Sequence, residues 1–191
     1  MSLETTTLPM TNILSQEEQG GEEQQQWLTY ESPEFGYSIQ YPPDWEALEE
    51  INYQNTSSKM FGVPDKHSFG AFGISIEPLE EYLDTNSLKL KTKTIHDHAR
   101  EQRAYVNSEP DMVLHKSNST TIGQSHYPAI QVHFSKVGLE EEYRVNTFMV
   151  NNGYRYLFYF FAPPLDVPEL FPTVEKMLAS FPDNQLVDLY L

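Results

Sequence analysis

The chain has 191 residues with 28 acidic and 12 basic side chains, a formal charge of −16 at pH 7, no cysteine, and 12 Tyr and 11 Phe. Scattered cations and a strong negative charge argue against nucleic acid and anionic bilayers as partners, and leave cationic, neutral or divalent ones. Without cysteine there is no disulfide, thiol nucleophile or thiolate metal site, and no run approaches the roughly 18 apolar residues that span a bilayer.

Residues 1–26 hold five Glu and five Gln with no aromatic residue, Lys or Arg. So little apolar surface does not offset the entropy of ordering, so this stretch is expected to be an acidic linker, with a single domain over 27–191. The opening MSLETTTLPM reads as an added start joined to a mature chain, with a signal or lipid-anchor segment expected upstream. From Trp27 the punctuation is that of an antiparallel sheet, with strands expected at 27–31, 36–41, 48–53, 69–77, 111–122, 127–137, 140–151 and 154–162. In 36–41, Tyr37, Ile39 and Tyr41 share one face, Pro42-Pro43 ends the ladder, and Trp45 covers the core beyond it.

Residues 86–106 lack Gly and Pro, and Leu88, Thr92, Ile95, Ala99, Gln102 and Val106 follow helical spacing, so a helix is expected there with Asn86 as N-cap. Its start has a competing reading, because LKLKTKT alternates with period two. A second helix is expected over 168–180, with Phe171, Val174, Met177 and Leu178 on one stripe and SFP closing it. Between the helices, EEEYRVNTFMVNNGYRYLFYFFAPP joins two β-rich runs through Asn151-Asn152-Gly153, residues that accept the positive φ of a tight hairpin. Tyr154 to Phe161 is aromatic or apolar at every position but Arg155, which predicts a central strand covered on both faces. The fold class is α+β: a single central antiparallel sheet flanked by helices.

Signals for chemistry are sparse. No G-x-S-x-G elbow, Walker loop, G-x-G-x-x-G or EF-hand pattern occurs. Ser125 and His126 are neighbours, and on a strand they would point to opposite faces. His96-Asp97-His98 is the one compact set of metal-ligand types, but on a helix i and i+2 diverge, so a solvated surface is expected in which Asp97 and Glu101 balance Lys93 and Arg100. Replacing both histidines should then leave stability unchanged. His133 is expected on a wet face or buried with hydrogen bonds. Glu140, Glu141 and Glu142 gather near a turn where a hard cation could bind, although such a run is ordinarily a soluble edge. Asn55-Thr56-Ser57 and Asn118-Ser119-Thr120 are glycosylation acceptors if the chain is exported.

The ordered set FGYSIQYPPDWE, HYPAIQVHF, RVNTFMVNNGYRYLFYFFAPP and the closing ASFP resembles PsbP-like domains over residues 27 to 182. This resemblance implies the α/β/α sandwich shared with the Ran-binding nuclear import factors of the Mog family, and a non-enzymatic role in binding other proteins. Gly36, Tyr41, Pro42, Trp45, Pro128 and Ala162 carry the likeness as turn and core positions. No counterpart of the photosystem subunit's functional N-terminal segment is recognised here, so photosystem binding is not carried over.

The expectation is therefore an exported accessory or protein-interaction domain, tethered by 1–26, with no catalytic residues, no cofactor and an unidentified protein partner. The alternative is a small-ligand or divalent-cation binding protein, with His96, His98, Glu140, Glu141 and Glu142 as weak ligand candidates. An unrecognised hydrolase is the third class.

Overall fold

A computed structural model describes residues 26–182, apart from 54, 64–69, 85, 88 and 139–140. Nearly all of the expected linker, His67, Leu88 and Glu140 lie outside the described residues.

The chain opens with a hairpin of β1 (Leu28–Ser32) and β2 (Tyr37–Tyr41), then β3 (Glu46–Ala47), β4 (Ile51–Tyr53), β5 (Thr56–Gly62) and β6 (Ala71–Pro78). A second hairpin, β7 (Glu81–Asp84) with β8 (Lys89–Thr92), leads into α1 (Ile95–Ser108). The strands β9 (Met112–Ile122), β10 (Tyr127–Lys136), β11 (Glu142–Asn151) and β12 (Tyr154–Ala162) precede α2 (Val167–Ala179). The main sheet has eight strands in the order β3-β5-β6-β12-β11-β10-β9, with β4 also on β5, and every pairing is antiparallel. The expected single sheet is thus a central sheet with two separate hairpins, and β12 is central as predicted.

Three departures from the sequence reading have local causes. The helix begins at Ile95, not near residue 86, because Thr94 and Asp97 form a reciprocal capping box and residues 89–92 pair with β7. Asn86 sits in the turn between β7 and β8, where its N–H donates to Asp84 Oδ1 at 3.0 Å. Here the period-two pattern prevails over the absence of Gly and Pro. Next, β5 was not foreseen, and residues 48–53 supply only the short β4. In β5 the inward positions are Ser57, Lys59 and Phe61, so two polar residues mask the alternation. Lys59 is buried because its ammonium donates to the Leu48 carbonyl and lies 4.5 Å from the Tyr30 ring centre, a cation-π contact that offsets desolvation. Finally, Ser125 and His126 lie in the turn between β9 and β10, where His126 has a φ of 54°, so they are not strand neighbours.

The expected hairpin at Asn152-Gly153 forms with φ values of 47° and 78°, the left-handed pair that a two-residue connection needs. Glu109 leaves the helical region directly after α1, as the following Pro110 demands.

The two faces of the sheet are unequal. On one, α2 and the β1–β2 hairpin seal a large core in which Tyr37, Ile39, Phe61, Phe72, Tyr156, Phe158, Phe160, Met177 and Phe181 are buried. Trp45 joins this core, as expected from its place beyond β2. On the other face, Ala99 and Val106 of α1 pack with Ile130, Val132, Phe134 and Phe148. Each fully buried large apolar side chain contributes about 1.5–3 kcal/mol, so the first face dominates stability.

Candidate functional site

Strand β12 shows what the inequality produces. Tyr156, Phe158, Phe160 and Ala162 are buried, and Arg155, Leu157, Tyr159 and Phe161 between them are only half-buried. The sequence predicted cover on both faces, but α1 rests mainly on β9, β10 and β11, and β12 meets the core beneath it only at its edge, through Leu157. The seam left open is a groove of about 380 Å³. Gln102 and Tyr105 of α1 form one wall, Arg144 and Asn146 of β11 the floor, and Tyr159 and Phe161 of β12 the other wall. Tyr105 is 51% exposed at the rim.

Backbone register explains these positions. Arg144 pairs with Phe161 and Asn146 with Tyr159, so all four side chains share the α1 face. Arg144 donates through Nε and Nη2 to Glu142 Oε2, the first at 2.9 Å, which holds the guanidinium in place along the groove. Tyr159 lies flat across Gly73 of the neighbouring strand, and a Cβ built at Gly73 would stand 2.1 Å from its ring. Its hydroxyl reaches Ser58 Oγ at 3.3 Å. Gly73 therefore allows an aromatic ring to tile the sheet. The groove has aromatic walls and a few convergent amide, hydroxyl and guanidinium groups, the make-up of a binding surface.

The ligand candidates scatter. His96 is exposed and His98 is buried, so the pair does not face one point. Asp97 binds Arg100 at 2.5 Å and Glu101 binds Lys93 at 3.0 Å, the charge balance expected, but the solvated-surface reading fails for His98. The capping contacts from Thr94 and then Arg100 hold the Asp97 carboxyl at about 2, below its usual range. Glu141 is exposed, Glu142 is engaged by Arg144, and Glu140 lies outside the described residues. Among the described residues no three His, Asp or Glu side chains converge as metal ligands do.

His133 is buried with hydrogen bonds on the α2 face. Its Nδ1 lies 3.1 Å from the Tyr143 hydroxyl and its Nε2 lies 3.3 Å from Gln131 Oε1. The Gln oxygen only accepts, so Nε2 carries the proton and Nδ1 accepts from Tyr143. Burial, then Lys116 and His115, push its pKa down to about 4. Burial with hydrogen bonds is one of the two outcomes expected for His133, but its partners come from both β10 and β11, a pairing that no local pattern announces.

No family model matches the chain, and no curated protein matches it. Solved structures do. The cyanobacterial PsbP of Synechocystis shares 14% identity at a TM-score of 0.59, covering 86% of this chain and 96% of its own. The Ran-binding protein Mog1p of Saccharomyces cerevisiae shares 8% identity at 0.54, covering 83% and 95%. LpqN of Mycobacterium tuberculosis, a protein involved in cell envelope biogenesis, shares 10% identity at 0.52, covering 82% and 89%. At these identities the likeness is one of fold, and the chain has the PsbP-like fold: an antiparallel sheet between helices.

Proposed function

We propose that this is a non-enzymatic protein-interaction domain of the PsbP-like type, working outside the cytoplasm, that holds a segment of a partner protein in the groove between α1 and β12. The observation that carries the reading is the half-open aromatic face of β12, where Tyr159 and Phe161 are presented beside Tyr105 instead of being sealed under a helix. The charge of −16 selects a neutral or basic segment, and tyrosine and phenylalanine faces favour Lys or Arg next to apolar side chains. The Ran-binding neighbour supports a partner that is a protein. The envelope-related neighbour and the acidic, Gln-rich residues 1–26 support an exported chain on a tether. No helix among the described residues is long and apolar enough to cross a membrane.

The test is to pan a library of short random peptides against the protein and against Phe161→Asp. Enrichment of peptides carrying Lys or Arg beside apolar residues, lost with the variant, is the expected result. Peptides that bind both proteins equally would overturn the reading.

A further inference from the structure

Helix α1, one wall of the groove, buries only three side chains: His98, Ala99 and Val106. His98 is the largest of them and the only one that titrates. Its ring stacks on Phe148 of β11 at 6.3 Å and 9°. Its Nε2 is buried without a hydrogen bond, as is Nε of Arg155. Both residues line a small polar cavity of about 60 Å³, together with Glu77, Glu80, Lys93 and Glu101. Charged groups therefore face the ring from each side: Asp97 and Glu101 on α1, Lys93 ahead of it, Glu77 on β6, Glu80 after β6, and Arg155 on β12. Three of these carboxylates already have partners, Glu77 with Arg155 at 2.8 Å, Glu101 with Lys93 at 3.0 Å and Asp97 with Arg100 at 2.5 Å.

We propose that His98 is a proton switch for the groove: protonation of its imidazole loosens α1 from the sheet, so the partner segment is held near neutral pH and released in acid. This inference rests on the groove being the binding site. A neutral imidazole stacked on Phe148 leaves one nitrogen without a partner, whereas an imidazolium there must also shed the water around a full charge, beside Arg155 and Lys93. Burial first, and then Arg155, hold the His98 pKa below its ordinary value, and the opposing pull of Glu101 does not cancel them. Transmission to the groove is mechanical. His98, Gln102 and Tyr105 are spaced along one side of α1, with about 10 Å from the first to the last at a rise of roughly 1.5 Å per residue. On β12, Arg155, Leu157, Tyr159 and Phe161 continue the same seam. A helix that lifts at His98 carries Gln102 and Tyr105 with it.

Hydrogen exchange of the free protein tests the switch without any partner. Wild type is compared with His98→Phe, which keeps the ring on Phe148 and removes the titration, between about pH 7.5 and about 5.5, around the ordinary imidazole value. Rates are corrected for intrinsic exchange. In wild type, amide protection over residues 95–108 should fall with pH while β11 and β12 stay protected, and in His98→Phe it should not change. Should His98→Phe fold poorly, His98→Gln serves as the uncharged variant. Helix protection that is independent of pH in wild type, or that falls equally in the variant, would overturn the switch. The groove peptides from panning then separate the two ideas. Peptides that release from wild type in acid but not from the variant support both, and pH-independent binding to an α1 that has loosened would sink the coupling while leaving the groove intact.

Discussion

His133 offers a direct measure of how much the α2 face relies on a neutral imidazole. Its folded pKa is about 4, against about 6.5 when unfolded. Above pH 6.5 neither state holds the proton, and stability is untouched. As pH falls below 6.5 the unfolded chain takes up a proton that the native state refuses, so stability declines until about pH 4, where both states are protonated. Between pH 7 and pH 5 this one group should cost about 2 kcal/mol. Other groups titrate as well, so the variant His133→Gln supplies the reference. Urea unfolding can be followed through Trp45, which is buried in the large core. The expected result is that wild type loses about 2 kcal/mol more than the variant on going from pH 7 to pH 5. Equal losses in the two proteins would show that His133 is not held neutral by its burial between Gln131, Tyr143 and Phe171.

The unequal faces of β12 predict opposite outcomes from adjacent residues. Phe160→Ala should cost about 3–5 kcal/mol in urea unfolding, while Phe161→Ser, at a half-buried position, should cost less, about 1–2 kcal/mol, and abolish peptide binding. Gly73→Ala should push the Tyr159 ring off the sheet at a cost of about 1–3 kcal/mol; in Gly73→Ala/Tyr159→Ala the penalty of the second change should be smaller than in wild type, and strict additivity in the unfolding cycle would argue against the contact. Thr94→Ala removes the capping box of α1 and should cost about 1 kcal/mol, with hydrogen exchange accelerated first in residues 95–98.

The fold was largely legible in the sequence because its signals are local. Alternation wrote β2, Asn152-Gly153 wrote the last hairpin, and the apolar stripe after Pro168 wrote α2. The start of α1 was not legible, since the residues after Asn86 satisfy both a helical and an alternating pattern, and pairing of β8 with β7 decides between them. Strand β5 was hidden because Lys59 occupies an inward position that only the Tyr30 ring and the Leu48 carbonyl make tolerable. Among the site residues, His98 has charged neighbours, Asp97 and Arg100, that point to a solvated surface, but its burial depends on where α1 meets the sheet.

By itself the sequence determined the α+β class, the central place of β12, and a strong negative charge, because period, turn residues and net charge are properties of short segments or simple sums. The tertiary structure decided which aromatic residues remained open. Tyr159 and Phe161 look as apolar in sequence as Phe158 and Phe160, and they differ because α2 covers its side of β12 and α1 reaches only the edge of the other. Coverage depends on the lateral placement of a helix over a sheet, set by packing between residues far apart in the chain, and no local pattern encodes it.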